Sequence, residues 1–187
     1  MDRLQRAAIL TELMDQLHRH GSWCGETHVQ KAVYFLQEIL GVPTAFEYIL
    51  YKYGPYSFDL AEDLTALRAD YLIEFDHRSP GYGPALVPTR WSSELRSRYP
   101  KTLDKYRQAI QSVAQALGSK DVKELEKLAT ALYVTRQLGD PSDTESRARR
   151  LCELKPHVRL EDARAAVEEF DRIAAEAKAA DGGQIHE

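Results

Sequence analysis

The feature that most constrains the fold is the shortness of the β-forming segments, which stand between long stretches of helical periodicity. Residues 45–53, AFEYILYKY, are rich in aromatic and branched side chains, and the Gly54-Pro55 step ends this predicted strand. Residues 71–75 and 84–88 flank the turn-forming cluster DHRSPGYG, which is typical of a β-hairpin. These segments are too short for a large sheet, so we expect a mainly α-helical fold with a small β-hairpin.

Two amphipathic helices are predicted before the first strand, and a third follows it. Apolar residues recur at spacings of three and four within residues 4–17, and Gly21 suits the end of that helix. The second helix is expected to begin at Thr27, with Gln30 at the spacing of a capping box. Ser57 is the expected N-cap of the third helix, because leucines at helical spacing follow it.

This order of elements predicts the domain organisation. Helix, helix, strand, helix and hairpin is the order of a winged helix, so we predict a winged-helix-like core at residues 1–90. Residues 91–180 have helical periodicity only, which predicts a helical extension packed on that core. Residues 181–187 have little to bury and are predicted to fray. The late helices have apolar faces and limited room to bury them, so a homodimer is a further expectation.

Composition excludes several classes of function. The chain has 187 residues, 43% of them hydrophobic, and a formal net charge of -4, which disfavours a protein that binds polyanions over its whole surface. The two cysteines form no CxxC motif, and the sequence contains neither a signal peptide nor an apolar run as long as a membrane span. We therefore expect a cytoplasmic protein with no membrane partner.

No catalytic motif stands out in the sequence. GxSxG, HExxH and glycine-rich phosphate loops are all missing, so we predict that the protein is not an enzyme and uses no cofactor. One segment, HRHGSWCGETH, holds side chains that bind zinc in other proteins: His18, His20, Cys24 and His28. Cys24 and His28 also have the chemistry of a nucleophile pair. Glycines interrupt this segment, and we expect Cys24 to be a buried hydrophobe and His28 a polar residue near the helix start.

Four tyrosines surround the Gly-Pro step: Tyr48, Tyr51, Tyr53 and Tyr56. Alternate residues of a strand face opposite sides, so Tyr51 and Tyr53 should share one face while Lys52 takes the other. One interpretation is that one face of the strand packs on the second helix. Contact with a partner is the functional alternative, since tyrosine offers rigid area and a hydroxyl at low entropic cost. Both hold if Tyr53 is buried and Tyr56 is exposed.

The region of the third helix is acidic. Residues 57–76 carry six acids against the single Arg68, a net charge of -5. In winged helices bound to DNA this helix usually enters the major groove, where these acids would repel the phosphates. The segment is therefore either a solvated face or an acidic surface offered to a basic protein.

A basic stretch follows at residues 90–107, with a net charge of +4 and interleaved aromatic residues. Such a stretch can grip a nucleic-acid backbone and stack bases. It can equally be the solvated side of a connecting helix, or pair with the acidic helix. Its candidate nucleic-acid contacts are Arg90, Arg96, Arg98 and Lys101.

Two motifs together resemble a known family. QKAVYFLQ at residues 30–37, followed by YKYGPYS at residues 51–57, is similar to the Panacea domain of SocA-like antitoxins and to the YwgA-like proteins of bacteria and phages. LATALYVTR at residues 128–136 looks closer to the YwgA-like branch; the resemblance covers residues 21–90 and extends further only against that branch. The positions that match the shared pattern are Lys31, Tyr34, Phe35, Lys52, Tyr53, Gly54 and Pro55. The resemblance implies a helical fold with a small hairpin and a non-enzymatic role in protein contact, often toxin neutralisation, or in regulation in phage-related contexts.

We therefore predict a protein-binding module that is antitoxin-like or regulatory. Its predicted partner is a toxin or a regulatory target, and its predicted setting is a phage or defence context. The alternative is a winged-helix DNA-binding transcriptional regulator. The predicted partner contacts are Tyr51, Lys52, Tyr53, Tyr56, Asp59, Glu62 and Asp63. The predicted supporting residues are Lys31, Tyr34, Gly54 and Pro55.

Overall fold

The fold is mainly α-helical, with two small β-hairpins, in a computed structural model that describes residues 1–77, 83–139 and 143–182. The helices are α1 (Arg3–Arg19), α2 (Glu26–Glu38), α3 (Phe58–Ala69), α4 (Arg90–Arg98), α5 (Pro100–Leu117), α6 (Val122–Leu138), α7 (Thr144–Leu154) and α8 (Leu160–Gly182). The strands are β1 (Ile49–Tyr51), β2 (Gly54–Tyr56), β3 (Ile73–Asp76) and β4 (Ala85–Pro88). The predicted fold class, mainly helical with a small hairpin, is confirmed.

The predicted single strand at residues 45–53 is wrong, because that segment forms half of an additional hairpin. β1 covers only three residues, and it pairs antiparallel with β2 in the register Ile49↔Tyr56, Leu50↔Pro55 and Tyr51↔Gly54. Ala45 has a φ of 61°, which interrupts the extended backbone before β1. Gly54 has a φ of 86° and opens β2 instead of ending a strand.

The predicted start of the second helix is also wrong. Gly25 is the N-cap of α2, and no side chain caps the helix. Gln30 is fully buried and bonds elsewhere: its Nε2 donates to the Ser57 carbonyl at 2.8 Å and its Oε1 accepts from the Ser57 N–H at 2.9 Å. The Ser57 hydroxyl accepts from the Leu60 N–H, which confirms the predicted N-cap of α3.

The predicted hairpin is present as the pair β3–β4, and its turn lies partly outside the described residues. The predicted frayed tail also lies mostly outside them, but α8 continues through Gly182, two residues further than expected. The winged-helix-like arrangement of residues 1–90 stays a prediction.

The late helices bury their apolar faces within the chain. α5 packs on α1, α6 packs on α2 and β2, and α7 and α8 pack on each other and on α6. A single hydrophobic cluster includes residues of both halves, among them Leu10, Phe35, Ile110, Leu128 and Phe170. The late helices therefore do not need a partner chain to bury these faces, and the homodimer stays a prediction. No helix within the described ranges is long and apolar enough to cross a membrane.

Candidate functional site

An exposed patch of large apolar side chains lies on the β1–β2 hairpin and the first residue of α3. We call it the aromatic patch; its members are Ile49, Tyr51, Tyr56 and Phe58. Ile49 and Tyr51 alternate along β1, and Tyr56 is the cross-strand partner of Ile49, so the three share a face. Ile49, Tyr51 and Phe58 keep 49%, 55% and 54% of their surface exposed. Contiguous exposed apolar surface of this kind marks interaction sites.

The three rings of the aromatic patch pack on one another. The ring centroids of Tyr51 and Tyr56 lie 5.7 Å apart, those of Tyr51 and Phe58 5.9 Å, and those of Tyr56 and Phe58 5.1 Å, all in tilted or edge-to-face geometry. The Tyr56 hydroxyl donates to Glu26 at 2.7 Å. Partial burial and this hydrogen bond raise the pKa of Tyr56 to about 12, so its hydroxyl remains a donor at physiological pH.

The hairpin turn corrects the prediction for the tyrosines. Tyr53 lies in the turn with 50% of its surface exposed, whereas Tyr56 is half-buried, the reverse of what strand alternation predicts. Lys52 accompanies Tyr53 in the turn, with its ammonium 5.3 Å from the ring centroid of Tyr53. Tyr48 packs inward, with its ring 4.6 Å from that of the buried Tyr34. Tyr34 therefore supports the hairpin from the core.

Three buried charged residues hold the hairpin from below. We call Lys31, Glu126 and Lys155 the buried ionic cluster; they keep 1%, 7% and 5% of their surface exposed. Lys31 Nζ donates to the Pro55 carbonyl at 2.9 Å. Lys155 Nζ donates to the carbonyls of Tyr51 and Lys52 at 3.1 and 2.6 Å. The backbone of β1–β2 is thus tied to two distant parts of the chain.

The charges of the buried ionic cluster offset one another. Glu126 Oε1 lies 2.9 Å from Lys155 Nζ, an ion-pair contact that lacks hydrogen-bond geometry. Burial, and then the positive charge of Lys155, lowers the pKa of Lys31 to about 8, while Glu126 opposes this shift. Lys31 of α2 and the Gly54-Pro55 turn are therefore joined directly, because the lysine donates a hydrogen bond to the Pro55 carbonyl.

Gly54 lies where the hairpin passes closest to α6. A Cβ at this position would meet Thr130 Oγ1 at 3.3 Å and Lys31 Cε at 3.6 Å. Its φ of 86° is also a conformation that side chains with a Cβ rarely adopt. Gly54 and Pro55 are both buried, so these two residues position the patch and do not themselves offer surface.

The predicted acidic contacts on α3 differ in exposure and in pairing. Asp59 and Glu62 are exposed and have no ion-pair partner within the described part of the chain. Glu62 lies one turn from Phe58 and so borders the aromatic patch. Asp63 is different, because its carboxylate accepts from Arg6 Nε of α1 at 2.7 Å.

The predicted nucleic-acid contacts do not form one basic face. Arg96 has 13% of its side chain exposed and faces α1, where its Nη1 donates to the Thr11 carbonyl at 3.1 Å and lies 3.3 Å from Glu12 and 3.6 Å from Asp15. Pairing of the basic stretch with the acidic helix is one of the alternatives, and Arg96 pairs instead with α1.

The other three candidates remain at the surface. Arg98 forms an ion pair with Glu94 on its own helix. Arg90 stacks on the ring of Trp91, with its guanidinium carbon 4.5 Å from the centroid. Lys101 is exposed in the first turn of α5.

The side chains named above for their zinc-binding chemistry do not converge. Cys24 is fully buried, and burial raises its pKa to about 12, which makes it a poor nucleophile and a poor ligand. His18 Nε2 contacts the Leu86 carbonyl at 2.9 Å, and His28 Nδ1 contacts Ser22 Oγ at 2.8 Å. His20 is exposed. Across the described ranges, no group of His, Cys, Asp or Glu side chains is placed to hold a metal ion.

Three residues of the aromatic patch and its border were not predicted as contacts from the sequence. Phe58 carries a signal, since it lies outside the helical spacing of Leu60 and Leu64 and should therefore face solvent. Ile49 and Glu26 carry no comparable local signal, because their places depend on the pairing of β1 with β2 and on the approach of α2 to Tyr56.

No protein-family model matches this chain, and no curated protein matches it either. The resemblance to the Panacea and YwgA-like families therefore stays a prediction.

Proposed function

We propose that this chain is a non-enzymatic protein-binding module, antitoxin-like or regulatory, that contacts its partner with the aromatic patch. The observation that carries the proposal is the exposed set of mutually packed rings on Tyr51, Tyr56 and Phe58. Aromatic side chains dominate the energetics of protein interfaces, because each buries a large area with few rotatable bonds.

The contacts beneath the aromatic patch favour the interpretation that it is a binding surface and not merely an exposed one. Lys31 and Lys155 hold the hairpin carbonyls, and Gln30 holds the backbone of Ser57 at the start of α3. A preorganised surface loses little conformational entropy when a partner binds, which increases affinity. Polar residues border the rings, including Lys52 and Glu62, as expected for an interface with an apolar centre and a polar rim.

The alternative, a DNA-binding regulator, has weaker support. Arg96, a central residue of the basic stretch, is engaged with Glu12 and Asp15 of α1 and is mostly buried. Binding to phosphates needs cations at the surface, and a protein with fewer such cations binds DNA more weakly and with a smaller dependence on salt.

Affinity capture with matched variants tests the proposal. The tagged protein is used in native lysate at moderate salt, with and without nuclease, and the captured protein is then purified and its Kd measured. Tyr51→Ala and Phe58→Ala should each weaken binding at least tenfold, whereas Trp91→Ala, which removes an equally exposed aromatic side chain on α4, should leave the Kd unchanged. Capture of nucleic acid alone, released by salt, or equal Kd values for all variants, would contradict the proposal.

A further inference from the structure

A cavity of about 500 Å³ lies beside α3, between the start of α2, the β3–β4 hairpin and the α5–α6 turn. Its volume is in the range typical of ligand sites. The apolar part of its lining includes Trp23, Ala61, Leu64, Phe75, Leu86 and Val122. Phe75 and Val122 keep 40% and 44% of their surface exposed, so the cavity opens to solvent.

The cavity continues the aromatic patch along one face of α3. Ala61 and Glu62 lie three and four residues after Phe58, and Thr65 lies four and three residues after them, so all four are on the same side of the helix. Ala61 and Thr65 line the cavity, and Phe58 belongs to the patch. Glu26 joins the two, since it lines the cavity and accepts the hydrogen bond of Tyr56. We call the patch, the cavity and the residues between them the α3 groove.

Two turns of helix separate the ends of the α3 groove. Phe58 and Thr65 are seven residues apart, about 10 Å along the helix axis. Side chains at positions i and i+7 of a bound helix have the same separation. A helix lying along α3 can therefore place one apolar side chain on the aromatic patch and another in the cavity.

Among the described residues of the α3 groove, acids outnumber cations. Its carboxylates are those of Glu26, Glu62 and Asp121, and its cation is Lys120. Lys120 is paired with Glu169 and Glu124. Two further cations border the groove: Arg68 is stacked on the ring of Phe75 at 4.3 Å, and Lys52 lies 5.3 Å from the ring centroid of Tyr53. His28, in the cavity wall, adds no charge at neutral pH, because burial lowers its pKa to about 4.

We propose that the α3 groove receives a basic amphipathic helix of the partner protein, with one large apolar side chain in the cavity and a second on the aromatic patch. Lysine or arginine side chains of that helix face Glu26 and Glu62. The inference rests on the proposed function and adds the chemistry of the partner segment and a second anchoring site to it.

Two synthetic peptides test this inference. Each has fifteen residues with tryptophan and leucine at positions i, i+4 and i+7, and the two differ only in carrying lysine or glutamate at the charged positions. Binding is measured by calorimetry and by the amide chemical shifts of the labelled protein. The lysine peptide should bind at least tenfold more tightly than the glutamate peptide and should shift the amides of Glu26, Ala61, Thr65 and Val122.

A cavity-filling variant separates this inference from the proposed function. Thr65→Trp places a ring over the cavity and should raise the Kd of the lysine peptide at least tenfold, whereas Ala165→Trp, at an exposed position on α8, should not change it. If Thr65→Trp binds normally while Phe58→Ala does not, the cavity is not an anchoring site and the proposed function stands. Equal affinity for both peptides, or binding of neither, would overturn the basic-helix inference.

A second copy of the chain is the competing occupant. The same amide shifts, appearing with increasing protein concentration and without peptide, would assign the groove to self-association and would overturn the inference.

Discussion

Lys31 illustrates how a single buried residue links sequence, stability and the binding surface. Its ammonium is removed from water, so folding favours its neutral form and lowers its pKa from 10.5 to about 8. Between these two values the unfolded chain binds more protons than the folded one, and stability rises with pH. Below pH 8 Lys31 is charged in the folded protein, and burying that charge lowers the free energy of unfolding by about 3 kcal/mol.

The pH dependence of Lys31→Met tests this account. The difference in unfolding free energy between wild type and variant should change by about 2–3 kcal/mol in favour of the wild type from pH 7.5 to 10.5. Titrating groups that do not interact with Lys31 cancel because both proteins contain them. Urea unfolding at a series of pH values provides the measurement. A difference that is independent of pH would mean that Lys31 is not desolvated.

The two cysteines differ in burial, and their reactivity should differ accordingly. Cys24 is fully buried with a pKa near 12, whereas Cys152 is only partly buried. We expect one thiol to react with a disulfide reagent at pH 7.5 in the native protein and two to react in urea. Native Cys152→Ser protein should then remain unlabelled. Rapid labelling of Cys24 in the native state would contradict the placement of residues 21–25.

At the scale of elements, the helices follow from local sequence and the first hairpin does not. Leucine spacing and the Ser57 cap locate α3 within a residue, because helical signals depend on neighbours in the chain. The β1–β2 hairpin depends on Lys155 and Thr130, which are remote in sequence. Strand alternation therefore misplaced Tyr53 and Tyr56. Glu26 and Ile49 were missed for the same reason.

Substitution of Gly54 measures how closely this hairpin packs on α6. Gly41 has a similarly positive φ of 63° but open space around its missing Cβ, so Gly41→Ala measures the conformational cost alone, about 1 kcal/mol. Gly54→Ala should cost about 1–2 kcal/mol more, because its Cβ meets Thr130. Adding Thr130→Ala should recover part of that excess. Equal costs at the two glycines, measured by thermal unfolding, would show that the hairpin is free to move away.

At the scale of the whole molecule, charged pairs connect parts that the sequence presents as separate. Asp63 of α3 pairs with Arg6 of α1, and Asp70, the residue that follows α3, pairs with Arg3 of α1. Arg96 of α4 also faces α1. Charge totals along the chain correctly located an acidic and a basic stretch. They did not predict these pairs, because α1 contributes the partners of both.

Arg96 should therefore matter for stability more than for nucleic-acid binding. Arg96→Met removes a partly buried donor to Thr11 and its pairing with Glu12, and we expect a loss of about 1–3 kcal/mol. Arg98→Met removes an exposed pair and should cost less than about 0.5 kcal/mol. Urea unfolding of both variants checks the difference. Equal and small losses would mean that Arg96 is available to an external ligand.

The most direct test of the binding surface is photo-crosslinking in living cells. A photoreactive phenylalanine analogue is placed at Phe58 in one version of the protein and at Trp91 in another, since both side chains are about half exposed. The account predicts a discrete protein adduct from position 58, identified by mass spectrometry, and none from position 91. An adduct with a partner protein or nucleic acid from position 91 alone would contradict the central claim that the aromatic patch is where this protein binds its partner.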